Sequence, residues 1–137
     1  MDRMILFRGR REDTGEWVYG SYAVTGGDAF IIKREPVFDE VFGGEVPDCI
    51  SVKPETVGQY VGQEDREGRQ IFEGDIIRYT VYGGGQLHGC GQGVVRYDSA
   101  NCIFHIVTEA DGSSTGIHTD LDVSVGNIYE TPERQAA

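Results

Sequence analysis

Cysteine is scarce in this chain and odd in number: Cys49, Cys90 and Cys102 are the only three among 137 residues. That excludes the even disulfide framework of a small secreted protein. Long apolar runs are missing too, and none approaches the roughly 18 residues of a membrane span. No charged-then-apolar leader opens the chain. A soluble, cytoplasmic protein is the expectation. Basic charge is also short, with 12 Lys and Arg against 23 Asp and Glu, for a net charge of −11. The deficit is uneven. Residues 1–34 carry six basic and five acidic groups, whereas residues 35–137 carry six basic and eighteen acidic ones. Such a surface repels phosphate backbones, so nucleic acid is disfavoured as a partner. The plain reading of the charge is solubility. The sharper one is an acidic decoy for the basic groove of a DNA-binding protein, steered there by complementary potentials. Heptads, internal repeats and amphipathic helices longer than three turns are absent as well.

What the chain has is glycine, 20 residues of it, and many short strand-like runs. Glycine at this density predicts turns rather than long helices. Met4–Arg8, Trp17–Val24 and Ala29–Lys33 read as a three-stranded meander, with a hairpin-type turn at Gly26-Gly27-Asp28. Residues 34–48 show no clean period between Pro36 and Pro47. They read as a surface loop or connector between lobes, with one helical turn at Val37–Phe42. Thr56–Val61 is then a strand, and Asp65–Gly68 a turn. Ile71-Phe72 enters a second tight turn at Glu73-Gly74-Asp75, and Ile76–Tyr82 follows as the strongest strand. Six glycines in residues 83–93 predict a mobile hairpin loop. Gly93–Asp98, Cys102–Thr108 and Val123–Tyr129 complete the strands, with a loop over 110–116 and a turn starting at Thr131-Pro132. Five short strands after residue 56 suit a small closed barrel or roll, because closure removes exposed edges.

Three segments taken in order carry a resemblance. They are Val52–Tyr79, with P-E-T-V-G-Q-Y at 54–60 and I-F-E-G-D-I-I at 71–77; Gly93–Asp98 followed by Phe104-His105-Ile106; and Val125–Glu133, which reads V-G-N-I-Y-E-T-P-E. Ile5–Arg8 and Trp17–Ser21 add to it. Together they resemble the YopX family, small proteins found largely in bacteriophages and prophages. The resemblance implies a mostly-β protein whose second half is an SH3-type barrel. It also implies self-association into a homo-oligomer and a bacterial host cell as the setting. No family catalytic residue comes with it. The layout expected is one domain over 1–137, with an N-terminal β lobe and connector at 1–48, a barrel lobe at 49–133 and a tail at 134–137.

Motifs of chemistry are sparse. His88-x-Cys90 and Cys102-x-x-His105 supply two nitrogens and two sulfurs, the donor set of a structural zinc site. Alternation along a strand places Cys102 and His105 on opposite faces, so no metal is expected. Cys102 reads as a buried strand residue beside Phe104 and Ile106. The glycines at 83–93 lack the Gly-Lys-Ser/Thr or strand-to-helix setting of a phosphate-binding loop. Glu73 and Asp75 flank Gly74 and form the nearest thing to a working carboxylate pair. Turn chemistry is the competing account, with Asp75 accepting a backbone N–H of its own turn. With Tyr60 and Asn127 these are the candidate binding residues. No catalytic residue and no cofactor is expected. Trp17, Tyr19 and Tyr22 suit either packing or a stacking platform for single strands. The function expected is a non-enzymatic interaction module that binds a host or phage protein. The alternative is a nucleic-acid-associated protein or an acidic DNA mimic that inhibits a host protein.

Overall fold

A computed structural model of the protein describes residues 3–83, 85–117 and 122–130. The chain is mainly β and divides into two compact units, Met1–Tyr60 and Val61–Ala137. The division falls inside a strand, twelve residues beyond the 48/49 change of lobe that composition suggests.

The first unit is an antiparallel meander of β1 (Phe7–Arg10), β2 (Trp17–Thr25), β3 (Asp28–Asp39) and β4 (Gly44–Val52). A 3₁₀ turn at Pro54–Thr56 leads into β5 (Gly58–Glu64), which returns to pair with β1. The Thr56 hydroxyl locks that return, accepting from the Arg10 N–H at 2.9 Å and donating to the Lys53 carbonyl at 2.6 Å. Strand alternation puts Val18, Ala29, Ile31 and Val52 on one face, where they form a core with Phe7, Ile50 and Val57 against it.

Residues 34–48, expected to be a loop with a helical turn, instead lengthen β3 and β4 into a ribbon. β2 pairs with β3 only from Thr25↔Asp28 to Ser21↔Ile32, while β3 and β4 pair onward to Asp39↔Gly44. A register shift between Lys33 and Val37 sets Arg34, Glu35 and Pro36 opposite Pro47. Both prolines sit at that irregularity, where a missing N–H costs no ladder bond. The bulge breaks the period-2 pattern, which is why the sequence looked aperiodic there.

In the second unit β5 continues past Tyr60 beside β6 (Gln70–Phe72). A five-stranded antiparallel sheet then follows in the order β10-β9-β8-β7-β11, from β7 (Asp75–Gly83), β8 (Gln86–Asp98), β9 (Ile103–Thr108), β10 (Ser114–Thr115) and β11 (Val123–Asn127). Among the described residues the expected closed barrel is not formed: neither sheet closes on itself. β10, at one edge, is two residues long and offers too little ladder to join the far edge. Ile71, Ile77, Val95 and Ile106 make the core, with Val61, Tyr79 and Ile117 packed on it.

The glycine-rich segment 83–93 is another correction. β7 and β8 stay paired out to Gly83↔Gln86, so most of the expected mobile loop is strand. A Cβ at Gly91 would meet the Tyr79 ring, and one at Gly93 would run into the Val107 carbonyl oxygen. These glycines are filled from the neighbouring strands; they are not flexible spacers. The Thr131-Pro132 turn and the 134–137 tail lie outside the described residues. Among the described residues, no helix is long and apolar enough to cross a membrane.

Candidate functional site

The Glu73-Gly74-Asp75 turn joins β6 to β7, and Gly74 and Asp75 bond to the backbone around it. Asp75 is buried, and one of its carboxylate oxygens accepts the Phe72 N–H at 2.8 Å. Gly74 has φ +89°, and an added Cβ would lie 2.7 Å from Tyr129 Cε2. Only glycine fits there without strain. The Gly74 N–H donates to the Val95 carbonyl at 2.9 Å, and its carbonyl accepts from Ile128 at 3.0 Å. Asn127 stands opposite Asp75 in the β7–β11 register. Its amide oxygen accepts the Tyr129 N–H at 2.9 Å, and its amide nitrogen donates to Glu130 at 2.9 Å. Two capped turns therefore interlock, and the Tyr129 ring closes over the glycine.

The structure thus brings Asp75 and Asn127 together, with half-buried Glu73 two residues along. Tyr60 belongs to the first unit, where its N–H donates to the Leu6 carbonyl at 2.8 Å. Tyr129 was missed by sequence reasoning, because its packing on Gly74 depends on a pairing across some fifty residues.

Asp65 was read only as a turn residue, yet its carboxylate accepts four hydrogen bonds. Oδ1 accepts from the N–H groups of Glu67 and Arg69, both at 2.9 Å. Oδ2 accepts from Arg69 Nε and from the Ser124 N–H, both at 3.0 Å. Burial pushes its carboxyl up, but the N–H groups of Ser124, Arg69 and Glu67 and the Arg69 guanidinium outweigh it, so the carboxyl ends lower than usual. The turn is clamped again by the Arg66 N–H on the carbonyl of buried Asp122, at 2.9 Å. At another turn the Ser113 and Thr108 hydroxyls hold the Asp111 carboxyl down at about 2. All of these carboxylates anchor turns.

Among the described residues no group of three or more His, Cys, Asp and Glu is placed to hold a metal ion. Cys102 is exposed, not buried as expected. It takes φ +57° in the turn before β9, with Sγ 3.7 Å from the Ser99 carbonyl oxygen. Its interaction with Tyr97 pushes that phenol up. The aromatic trio of β2 does not share one face. Trp17 and Tyr19 point one way and Tyr22 the other, where it packs on Phe7 with ring centroids 5.5 Å apart. The Arg8 guanidinium covers the Trp17 ring at 4.6 Å.

The sequence profile described as YopX protein matches residues 6–135. The chain belongs to the YopX family. No curated protein matches it. In this YopX family member the blocks 54–60, 71–77 and 125–130 are the 3₁₀ turn entering β5, the β6–β7 turn and the turn after β11. The other segments that carry the likeness, 93–98 and 104–106, lie in β8 and β9.

Large exposed apolar side chains collect elsewhere, at the end of the β3–β4 ribbon. Val37 is 42% exposed, Phe38 68%, Phe42 72% and Val41 100%. Sequence reasoning took this segment for a connector. The available signal was two aromatic-aliphatic pairs, Val37-Phe38 and Val41-Phe42, around an acidic turn.

Proposed function

We propose that this YopX family member is a non-enzymatic protein-interaction module, an accessory protein of phage or prophage origin that binds a host or phage protein. The observation that supports the reading is a division of labour. Asp75 and Asn127, two of the polar residues that most resembled a site, cap turns, while the apolar side chains Phe38, Val41 and Phe42 stand in water on a two-stranded ribbon. Exposed apolar groups ringed by charge are the anatomy of a partner surface. The family membership supports the phage association.

Affinity capture of the tagged chain from bacterial lysate, with and without nuclease, tests this reading. One stoichiometric, nuclease-resistant protein is the expected result. Recovery of nothing but the chain itself would sink the module. The net charge of −11 supports a second reading, an acidic mimic that occupies a basic groove. Under that reading the captured protein is itself DNA-binding, and duplex DNA displaces the chain from it.

A further inference from the structure

The tip of the β3–β4 ribbon is held still while facing outward. One carboxylate oxygen of Asp39 accepts the N–H groups of Val41 at 2.9 Å and Phe42 at 2.8 Å. The Asp39 carbonyl accepts the Gly43 N–H at 2.8 Å, and Gly43 takes φ +81° to close the turn. Three hydrogen bonds thus fix a turn in which Glu40, Val41 and Phe42 are exposed. What Val41 and Phe42 present is apolar, and each phenylalanine offers on the order of 150–250 Å² to a partner. A pre-set turn spares a binding partner the entropy of ordering it. The tip carries Asp39, Glu40 and Glu45 and no Lys, Arg or His, while Asp48 faces Lys33 farther down the ribbon.

We propose that this tip is the anchor of the interaction module, and that its occupant is an apolar pocket rimmed by Lys and Arg on a different protein. The inference rests on the module reading and names the surface and the chemistry of the partner. Charge decides among occupants. A second copy meeting tip to tip would set three carboxylates against three, and a copy meeting it elsewhere is still a chain of net charge −11. An anionic lipid surface repels the same carboxylates. A cationic rim pairs with it, steers the encounter and lets Phe38 and Phe42 fill the desolvated centre, where binding energy concentrates.

The test uses the full chain and a variant carrying Phe38→Ser and Phe42→Ser. Both side chains are exposed, so the variant should keep the wild-type circular dichroism and melting curve. The probes are an amphipathic Leu/Lys peptide, its Leu/Glu counterpart and phosphatidylglycerol vesicles, titrated into isotope-labelled protein. The Leu/Lys peptide should shift amides within 35–46, and its affinity should fall about tenfold or more in the variant, whose charge is unchanged. The Leu/Glu peptide and the vesicles should leave those amides in place. Equal affinity for the two proteins would reduce the effect to bulk charge and overturn the proposal. Shifts confined to other segments, or binding of the vesicles, would overturn it as well. So would a fall in solution mass caused by the variant, because the tip would then hold copies of this chain together. Should the variant still capture the partner that the wild type recovers, the tip is wrong and the module stands. Should the wild type capture none, the module itself fails.

Discussion

At the scale of single residues, Asp65 shows how much of this fold depends on one buried acceptor. Its carboxylate collects four donors, one of them from Ser124, 59 residues away. Asp65→Asn replaces an oxygen by an amide that cannot accept, leaving buried N–H groups unsatisfied. The expected loss is roughly 2–3 kcal/mol, measured by urea unfolding near neutral pH. The sign of the pH dependence follows from the lowered carboxyl. Its contribution is complete above the unfolded value of about 4 and is lost as pH falls through the lower folded value. Stability curves of wild type and variant should therefore converge on acidification below about pH 4. Parallel curves down to about pH 2 would contradict the assignment. Gly74→Ala should cost about 1–3 kcal/mol, since alanine takes both the positive φ and the contact with Tyr129. The local half of this chemistry was legible in the sequence: Asp75 accepting within its own turn follows from neighbours three residues apart. The other half was not. That Ser124 meets Asp65, or Tyr129 meets Gly74, depends on register between distant strands, which local turn signals do not encode.

At the scale of elements, the sequence marked strands well where apolar residues alternate, as in β2, β7 and β9. It failed where glycine or proline fills a strand for reasons that lie on the neighbouring strand. Gly93 reads both as the end of a loop and as the start of a strand, because glycine weakens a strand in isolation. Opposite the Val107 carbonyl and Ile106, no larger residue fits. Gly93→Ala should therefore destabilise the second unit by about 1–3 kcal/mol, seen as a lower melting temperature. A neutral result would mean that β8 and β9 lie farther apart than described. The β3–β4 ribbon failed for a different reason: its bulge at 34–36 resets the alternation, so neither period survives inspection. Trp17 links the two strands of the first hairpin. It pairs with Arg10 across the β1–β2 ladder, and its ring also receives the Arg8 guanidinium at 4.6 Å. Trp17→Ala should cost roughly 2–3 kcal/mol from lost burial and cation–π contact, and Trp17→Phe distinctly less. Full stability of the alanine variant would show that the ring contributes no packing.

At the scale of the whole molecule, charge is what the sequence states without any structure, and it sets terms for every encounter. Eighteen of the 23 acidic residues lie beyond residue 34, so copies of the chain repel one another at long range. Self-association, which the family resemblance suggested, is proposed against that repulsion. It would have to be carried by apolar contact at short range. The exposed Tyr97 and Ile103 of the second sheet are such groups. Salt then separates the terms. Screening shortens the repulsion to about 10 Å at 0.1 M salt but leaves apolar burial in place. Sedimentation at micromolar protein should therefore give a mass above one chain that rises with added salt. That mass should persist in the variant carrying Phe38→Ser and Phe42→Ser, whose tip is assigned to a cationic partner. A single-chain mass at every salt concentration would remove self-association. A mass that falls with salt would show that ionic contacts, not apolar ones, join the copies, and the residues to change would then be the six basic groups of residues 1–34.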